Sequence, residues 1–150
     1  DGGECAVGVE STIVDCCVDP VQVLRPGAIT REQIAALLGQ VTSASGPSRA
    51  AGMLDSHYAP ECAIELFESL TEAVERRRAL NMSGRRVDLF DASTDPVVVA
   101  TQLYETLRSA DRSGLDTLVV ALPSPEGIGW AIRDRLGKAA APRPGRHHPH

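Results

Sequence analysis

Residues 62–80 read CAIELFESLTEAVERRRAL, a short apolar run followed at once by a helix-compatible segment. Cys62 to Phe67 has the length and composition of a strand, and Thr71 is placed to cap a helix running to about Leu80. The same unit recurs twice downstream. RVDLF at 86–90 is a strand, and Asp95-Pro96 then supplies an N-cap with proline at the first helical position. Ala100, Leu103, Tyr104 and Leu107 form one face of the helix that follows. TLVVAL at 117–122 is the third apolar run, and Gly127 to about Ala140 is the last helix. Three strand-helix units in series imply a parallel sheet with right-handed crossovers, a Rossmann-like α/β layer over about 61–140. No internal sequence repeat accompanies them.

Upstream the pattern differs. AVGVESTIV at 6–14 and VQVL at 21–24 read as two neighbouring strands separated by the turn-like Asp19-Pro20. Thr30 opens a capping box with Gln33, Ile34, Leu37 and Leu38 follow at helical spacing, and Gly39 stops the helix. Residues 1–39 are therefore a small α/β piece. From Gln40 to Pro60 the chain is dominated by Ser, Ala, Gly and Pro without apolar periodicity, which makes it an interdomain linker. Residues 141–150, APRPGRHHPH, are expected to be a disordered tail.

The formal net charge of -5 argues against autonomous nucleic-acid binding. The visible basic cluster, Arg76-Arg77-Arg78, lies beside Glu72 and Glu75 and reads as a solvated helix face, so direct RNA binding is not expected. The four cysteines, Cys5, Cys16, Cys17 and Cys62, form no C-x-x-C pair and are expected to be reduced and partly buried. No apolar run approaches the roughly 18 residues of a membrane span, and no signal-peptide order opens the chain, so a cytoplasmic protein is the default. The start, DGGECAVGVE, lacks an initiator methionine, as a fragment would.

Chemistry concentrates in three stretches. GVESTIVD offers two carboxylates, Glu10 and Asp15, and adjacent hydroxyls, Ser11 and Thr12, which suit phosphate or metal. Neighbouring strand residues face opposite sides, so Ser11 and Thr12 share a pocket only where the strand bulges or ends. The ordinary alternative is β-propensity and turn chemistry. LRPGAIT puts Arg25 before Pro26-Gly27, an extended arginine presenting a planar fork to phosphate or carboxylate, or else a surface ion pair. GMLDSHYAP carries His57, the only histidine outside the tail, with Tyr58 next to it. His57 is the side chain suited to proton transfer or ligand contact near neutrality, and the plain alternative is a linker residue packed on a neighbouring domain. Gly127-Ile128-Gly129 is a weak phosphate-cradle signal. The tail histidines, His147, His148 and His150, are expected to be solvated rather than metal-bound.

Taken together and in order, GVESTIVD, LRPGAIT and GM…HYAP resemble the threonylcarbamoyl-AMP synthase family. The likeness is to its long branch, in which a YrdC-like α/β catalytic domain is linked to a smaller Rossmann-like domain. The last helix, GIGWAIRDRLGKAA, is also similar to the end of that smaller domain, so the likeness covers Asp1 to about Ala140. It implies a C-terminal remnant of the catalytic domain at 1–39, the linker at 40–60 and the second domain at 61–140. The family's N-terminal catalytic segment, with its lysine and arginine pair and Ser-x-Asn element, does not precede Asp1.

The resemblance implies formation of threonylcarbamoyl-adenylate and pyrophosphate from L-threonine, bicarbonate and ATP with Mg2+, for the threonylcarbamoyladenosine modification of tRNA. It places Ser11, Thr12 and Arg25 on substrate or ATP. His57 and Tyr58 would close over the cavity, while Glu10 and Asp15 are weaker candidates for the metal. Where many relatives carry basic residues before HYAP, this chain has Leu54, Asp55 and Ser56. The rival reading is a non-catalytic Rossmann-like binding or regulatory module. The apolar side chains of 1–39 are expected to need covering by strands absent from this chain.

Overall fold

Leu118 and Val119 are adjacent in sequence, yet they are buried in different cores. That follows from the two-residue period of a strand whose two faces are both covered. The structure, a computed structural model, describes residues 10–44 and 60–141. Ten elements follow in order. They are β1 (Ile13–Asp15), β2 (Val21–Arg25), α1 (Arg31–Leu38), β3 (Val41–Ser43), β4 (Ala63–Phe67), α2 (Leu70–Met82), β5 (Val87–Asp91), α3 (Pro96–Arg112), β6 (Thr117–Ala121) and α4 (Ile128–Ala140).

The second half is the expected parallel α/β layer. Its sheet runs β4-β6-β5, with both outer strands parallel to β6. The chain skips a position from β4 to β5 and then steps back to β6. With right-handed crossovers, this reversal sends α2 and α3 to opposite faces. Ala73 and Leu80 of α2 accordingly pack on Val119 and Ala121. On the other face, Val99, Leu103 and Leu107 of α3 and Ile132 and Leu136 of α4 pack with Leu118 and Val120. Asp95 caps α3 through the Val97 N–H at 2.9 Å, with Pro96 at the first turn.

The cap of α2 lies two residues earlier than the sequence reading. Ser69, not Thr71, is the N-cap, and its hydroxyl accepts from the Glu72 N–H at 3.2 Å. Ser-x-x-Glu outcompetes Thr71 because Leu70 and Thr71 are already helical. Arg76 on α2 makes a two-pronged contact with Glu65 of β4, at 2.6 and 3.0 Å. The Arg76 guanidinium holds the Glu65 carboxyl below its ordinary range. A folded-state value below the unfolded one stabilises above the unfolded value and stops doing so as pH falls through the folded one. Because both side chains remain substantially exposed, Glu65→Gln is expected to cost only about 0.5–1 kcal/mol near neutral pH. The difference from the parent should vanish in acid, as read from urea midpoints across the carboxylate range.

The first half forms a second sheet, β1-β2-β3, with β1 antiparallel and β3 parallel to β2. Helix α1 bridges β2 and β3, and its capping box is complete: Thr30 accepts from Gln33 and Gln33 from Thr30. Two expectations change here. Strand β1 begins at Ile13, leaving residues 10–12 outside the ladder, with residues 6–9 outside the described residues. The first residues of the expected linker form β3, because Val41 is buried with Val23 and Ile34; three residues are too few for periodicity to reveal.

Cys16 and Cys17 are exposed rather than partly buried, on the turn between β1 and β2, while Cys62 is half-buried; all three are free thiols. Burial pushes the Cys62 thiol up, and Asp111 adds to it. Among the described residues, no helix is long and apolar enough to cross a membrane.

Helix α4 joins the two sheets. Trp130 leaves the α3 side and packs against the Val23, Ile34 and Val41 cluster, with Arg31 over its ring at 5.9 Å. Arg31 also donates to the Val41 carbonyl at 3.0 Å. On the far side of α1, Leu37 is 85% exposed, and Leu38 and Ile29 are more than half exposed.

Candidate functional site

Arg25 ends β2, and its ladder partner is Ile13, the first residue of β1. The chain before Ile13 is thereby brought alongside the Arg25 side chain. Pro26-Gly27 then turns the backbone onto residues 10–12, and the Ala28 N–H donates to the Glu10 carbonyl at 3.1 Å. The approach is so close that a Cβ on Gly27 would lie 2.1 Å from the Glu10 carbonyl oxygen. Only glycine fits there.

The guanidinium of Arg25 lies across this segment. Its Nε donates to the Ser11 carbonyl at 3.0 Å and its Nη2 to Ser11 Oγ at 2.9 Å, while Nη1 is 3.2 Å from Glu10 Oε2. The side chain is 11% exposed. Ser11 therefore joins Arg25, whereas Thr12 turns away and donates its hydroxyl to the Ile29 carbonyl at 2.6 Å. The two hydroxyls thus part just before β1, whose register is irregular between Ile13 and Val14. A fixed guanidinium beside a hydroxyl suits a phosphate or carboxylate group.

Glu10 has a second cationic partner. Arg135, from the middle of α4, forms an ion pair with Glu10 Oε2 and is 4% exposed. Neither of its terminal nitrogens has a hydrogen bond among the described residues beyond this pairing. Burial lowers the Arg135 pKa from the ordinary guanidinium range. The sequence reading missed this residue. The signal was present, because Arg135 interrupts the apolar stripe Ala131, Ile132, Leu136 and Ala139 of α4, all buried.

The remaining candidates fall elsewhere. Asp15 Oδ1 accepts from the Cys17 N–H at 2.9 Å, a turn contact. Glu10 faces two arginines and Asp15 serves its turn, so neither is arranged as a magnesium ligand. Among the described residues, no three His, Cys, Asp or Glu side chains gather as a metal site. His57 and Tyr58 lie outside the described residues. The Gly127–Gly129 turn does start α4, without a side-chain cap. The Glu32 carboxyl lies in the first turn of α1. That group is held below its ordinary range first by its own backbone N–H, then by Thr30, with Gly127 adding less.

A family model described as threonylcarbamoyl-AMP synthase, C-terminal domain, matches residues 29–141. The threonylcarbamoyl-AMP synthase of Bacillus subtilis is 34% identical over 95% of this chain and 48% of its own length. That of Pyrococcus abyssi is 29% identical over 95% and 49%. The crystal structure of P. abyssi Sua5 complexed with L-threonine superposes with a TM-score of 0.82 at 26% identity, covering 93% of this chain and 48% of that one. The chain therefore spans about half the length of the curated relatives it matches.

Proposed function

Since the chain belongs to the threonylcarbamoyl-AMP synthase C-terminal domain family, we propose that it supplies one part of such a synthase's active site. The reaction joins L-threonine, bicarbonate and ATP into threonylcarbamoyl-adenylate, with release of pyrophosphate, for threonylcarbamoyladenosine formation in cytoplasmic tRNA. The observation that carries this reading is Arg25, laid across Ser11 and Glu10 at the end of β2.

In the proposed step, threonine and bicarbonate first give N-carboxylated threonine with loss of water, and an oxygen of its carbamate group attacks the α-phosphorus of ATP. The bond to the β-phosphate oxygen breaks, and pyrophosphate leaves with the electron pair. Two anions must be brought together in line, so positioning and charge complementarity are the main tasks. Arg25 and Ser11 hold phosphate or carboxylate oxygens, with Thr12 bracing the segment through Ile29. His57 and Tyr58 close over the reactants from the linker and keep water from the labile product. Magnesium is proposed to arrive bound to ATP, since Glu10 and Asp15 do not fit a site for it. The exposed Leu37 and Leu38 are proposed to meet the other half of the catalytic domain.

The test is threonine- and bicarbonate-dependent pyrophosphate release. The 150-residue chain alone is expected to give none, and addition of an N-terminal catalytic half from the family is expected to restore it. Release by the chain alone would refute the proposed division of the site. Absence of release from the combination would favour a non-catalytic binding module.

A further inference from the structure

Glu10 stands between two arginines, one from each sheet unit. Its Oε2 is 3.2 Å from Nη1 of Arg25 and is also the atom paired with Arg135. The three side chains carry two positive charges and one negative. Alone with Arg25, Glu10 would neutralise the guanidinium that the proposed site uses. With Arg135 on the same oxygen, the group retains one net positive charge.

Arg135 is too deeply enclosed, at 4% exposed, to meet a large ligand itself. It is not held by the polar contacts that usually justify a buried arginine: its terminal nitrogens have only Glu10 among the described residues. Around it on α4, Ala131, Ile132, Leu136 and Ala139 are buried apolar residues that a methionine would match in character. The charge at this position is therefore what calls for an explanation.

We propose that Arg135 is a positioning residue for anion binding: it engages Glu10 from α4 so that the positive charge of Arg25 remains available to phosphate. The inference rests on the reading of Arg25 as an anion ligand. It assigns to the Rossmann-like half a direct electrostatic part in the site, beyond being attached to it.

Charge counting supplies the test. Arg135→Met leaves Arg25 and Glu10, a net charge of zero. The double variant Glu10→Gln with Arg135→Met leaves Arg25 alone and restores the net single positive charge of the parent. Thermal melts of the same samples separate charge from structure, since a merely structural role lowers affinity only in a variant that is not fully folded at the titration temperature. With inorganic pyrophosphate as the probe, titrated calorimetrically into the full chain at low salt, Arg135→Met is expected to bind about tenfold more weakly. That is the order expected for one unit charge acting over a few ångströms at an effective dielectric near 20, after partial screening. The double variant is expected to return to within about threefold of the parent, and Arg135→Lys to keep most of the affinity.

Removing one partner of a largely buried pair destabilises more than removing both. Without ligand, Arg135→Met should therefore melt about 5–10 °C below the parent, and the double variant should recover most of that loss. Should Arg135→Met fail to fold, the double variant and Arg135→Lys carry the test. A double variant that binds at least tenfold more weakly than a parent that does bind overturns this inference and leaves the Arg25 reading standing. A parent that does not bind pyrophosphate overturns both.

Discussion

Arg25→Ala is expected to lower pyrophosphate release in the reconstituted synthase by about two to three orders of magnitude, the range seen when a preorganised donor to developing charge is removed. The size follows from what the side chain holds in place. Its Nε and Nη2 hydrogen bonds run to Ser11 and its Nη1 pairs with Glu10, so it presents a fixed fork rather than a mobile charge. Removing it deletes the cation, frees the Ser11 hydroxyl and leaves Glu10 with Arg135 as its partner, a pair with no net positive charge to offer phosphate. Arg25→Lys is expected to recover only a minor part, because an ammonium cannot span the Ser11 carbonyl, the Ser11 hydroxyl and Glu10 at once. Steady-state rates beside thermal melts of the same samples separate this loss from unfolding. Rates within threefold of the parent in a folded Arg25→Ala protein would remove Arg25 from the site.

Gly27→Ala should damage both fold and site. The added methyl would lie 2.1 Å from the Glu10 carbonyl oxygen, and 2.5 Å from both the Ser11 carbonyl carbon and the Thr12 nitrogen. All three are backbone atoms, so no side chain can rotate away, and one of the two segments must move. That movement breaks the hydrogen bond from the Ala28 N–H to the Glu10 carbonyl. Overpacking against fixed atoms places the cost at about 3 kcal/mol or more. Displacement of residues 10–12 also carries Ser11 and Glu10 away from Arg25 and Arg135.

Gly137→Ala is the natural control. It lies in α4, and a methyl added there would have nothing within 4 Å. Alanine at this position should raise stability by up to about 1 kcal/mol. Urea midpoints, with hydrogen exchange at Ala28, measure both variants. A Gly27→Ala midpoint equal to the parent's would show that the close approach of the two segments is not obligatory.

The α/β alternation of the second half was readable because its signals are local. Asp95-Pro96 capped α3 as the sequence indicated, and TLVVA formed the central strand. A run of four apolar residues after Thr117 is what burial on both faces requires. The α2 cap was also legible, since Ser69 and Glu72 make the pattern, and Thr71 was the wrong choice between two suitable residues. Strand β3 was illegible: its only core residue is Val41, which is buried by Ile34 and Val23 from elsewhere in the chain. In the site, the Arg25 and Ser11 motifs stood out by residue type, but their mutual contact did not. It depends on the Ile13–Arg25 register and on Gly27 having no side chain.

By itself, the sequence determined the element types other than β3, the caps of α1 and α3, the parallel layer and the motif resemblance, because each is written within a few consecutive residues or in a short period. The tertiary structure alone decided that Ser11 faces Arg25 while Thr12 faces Ile29, and that Glu10 is shared by two arginines. The first two join residues of neighbouring strands and turns, and the last joins segments from opposite ends of the chain. A charge shared across that separation leaves no local period or cap, only an arginine out of place on an apolar helix face.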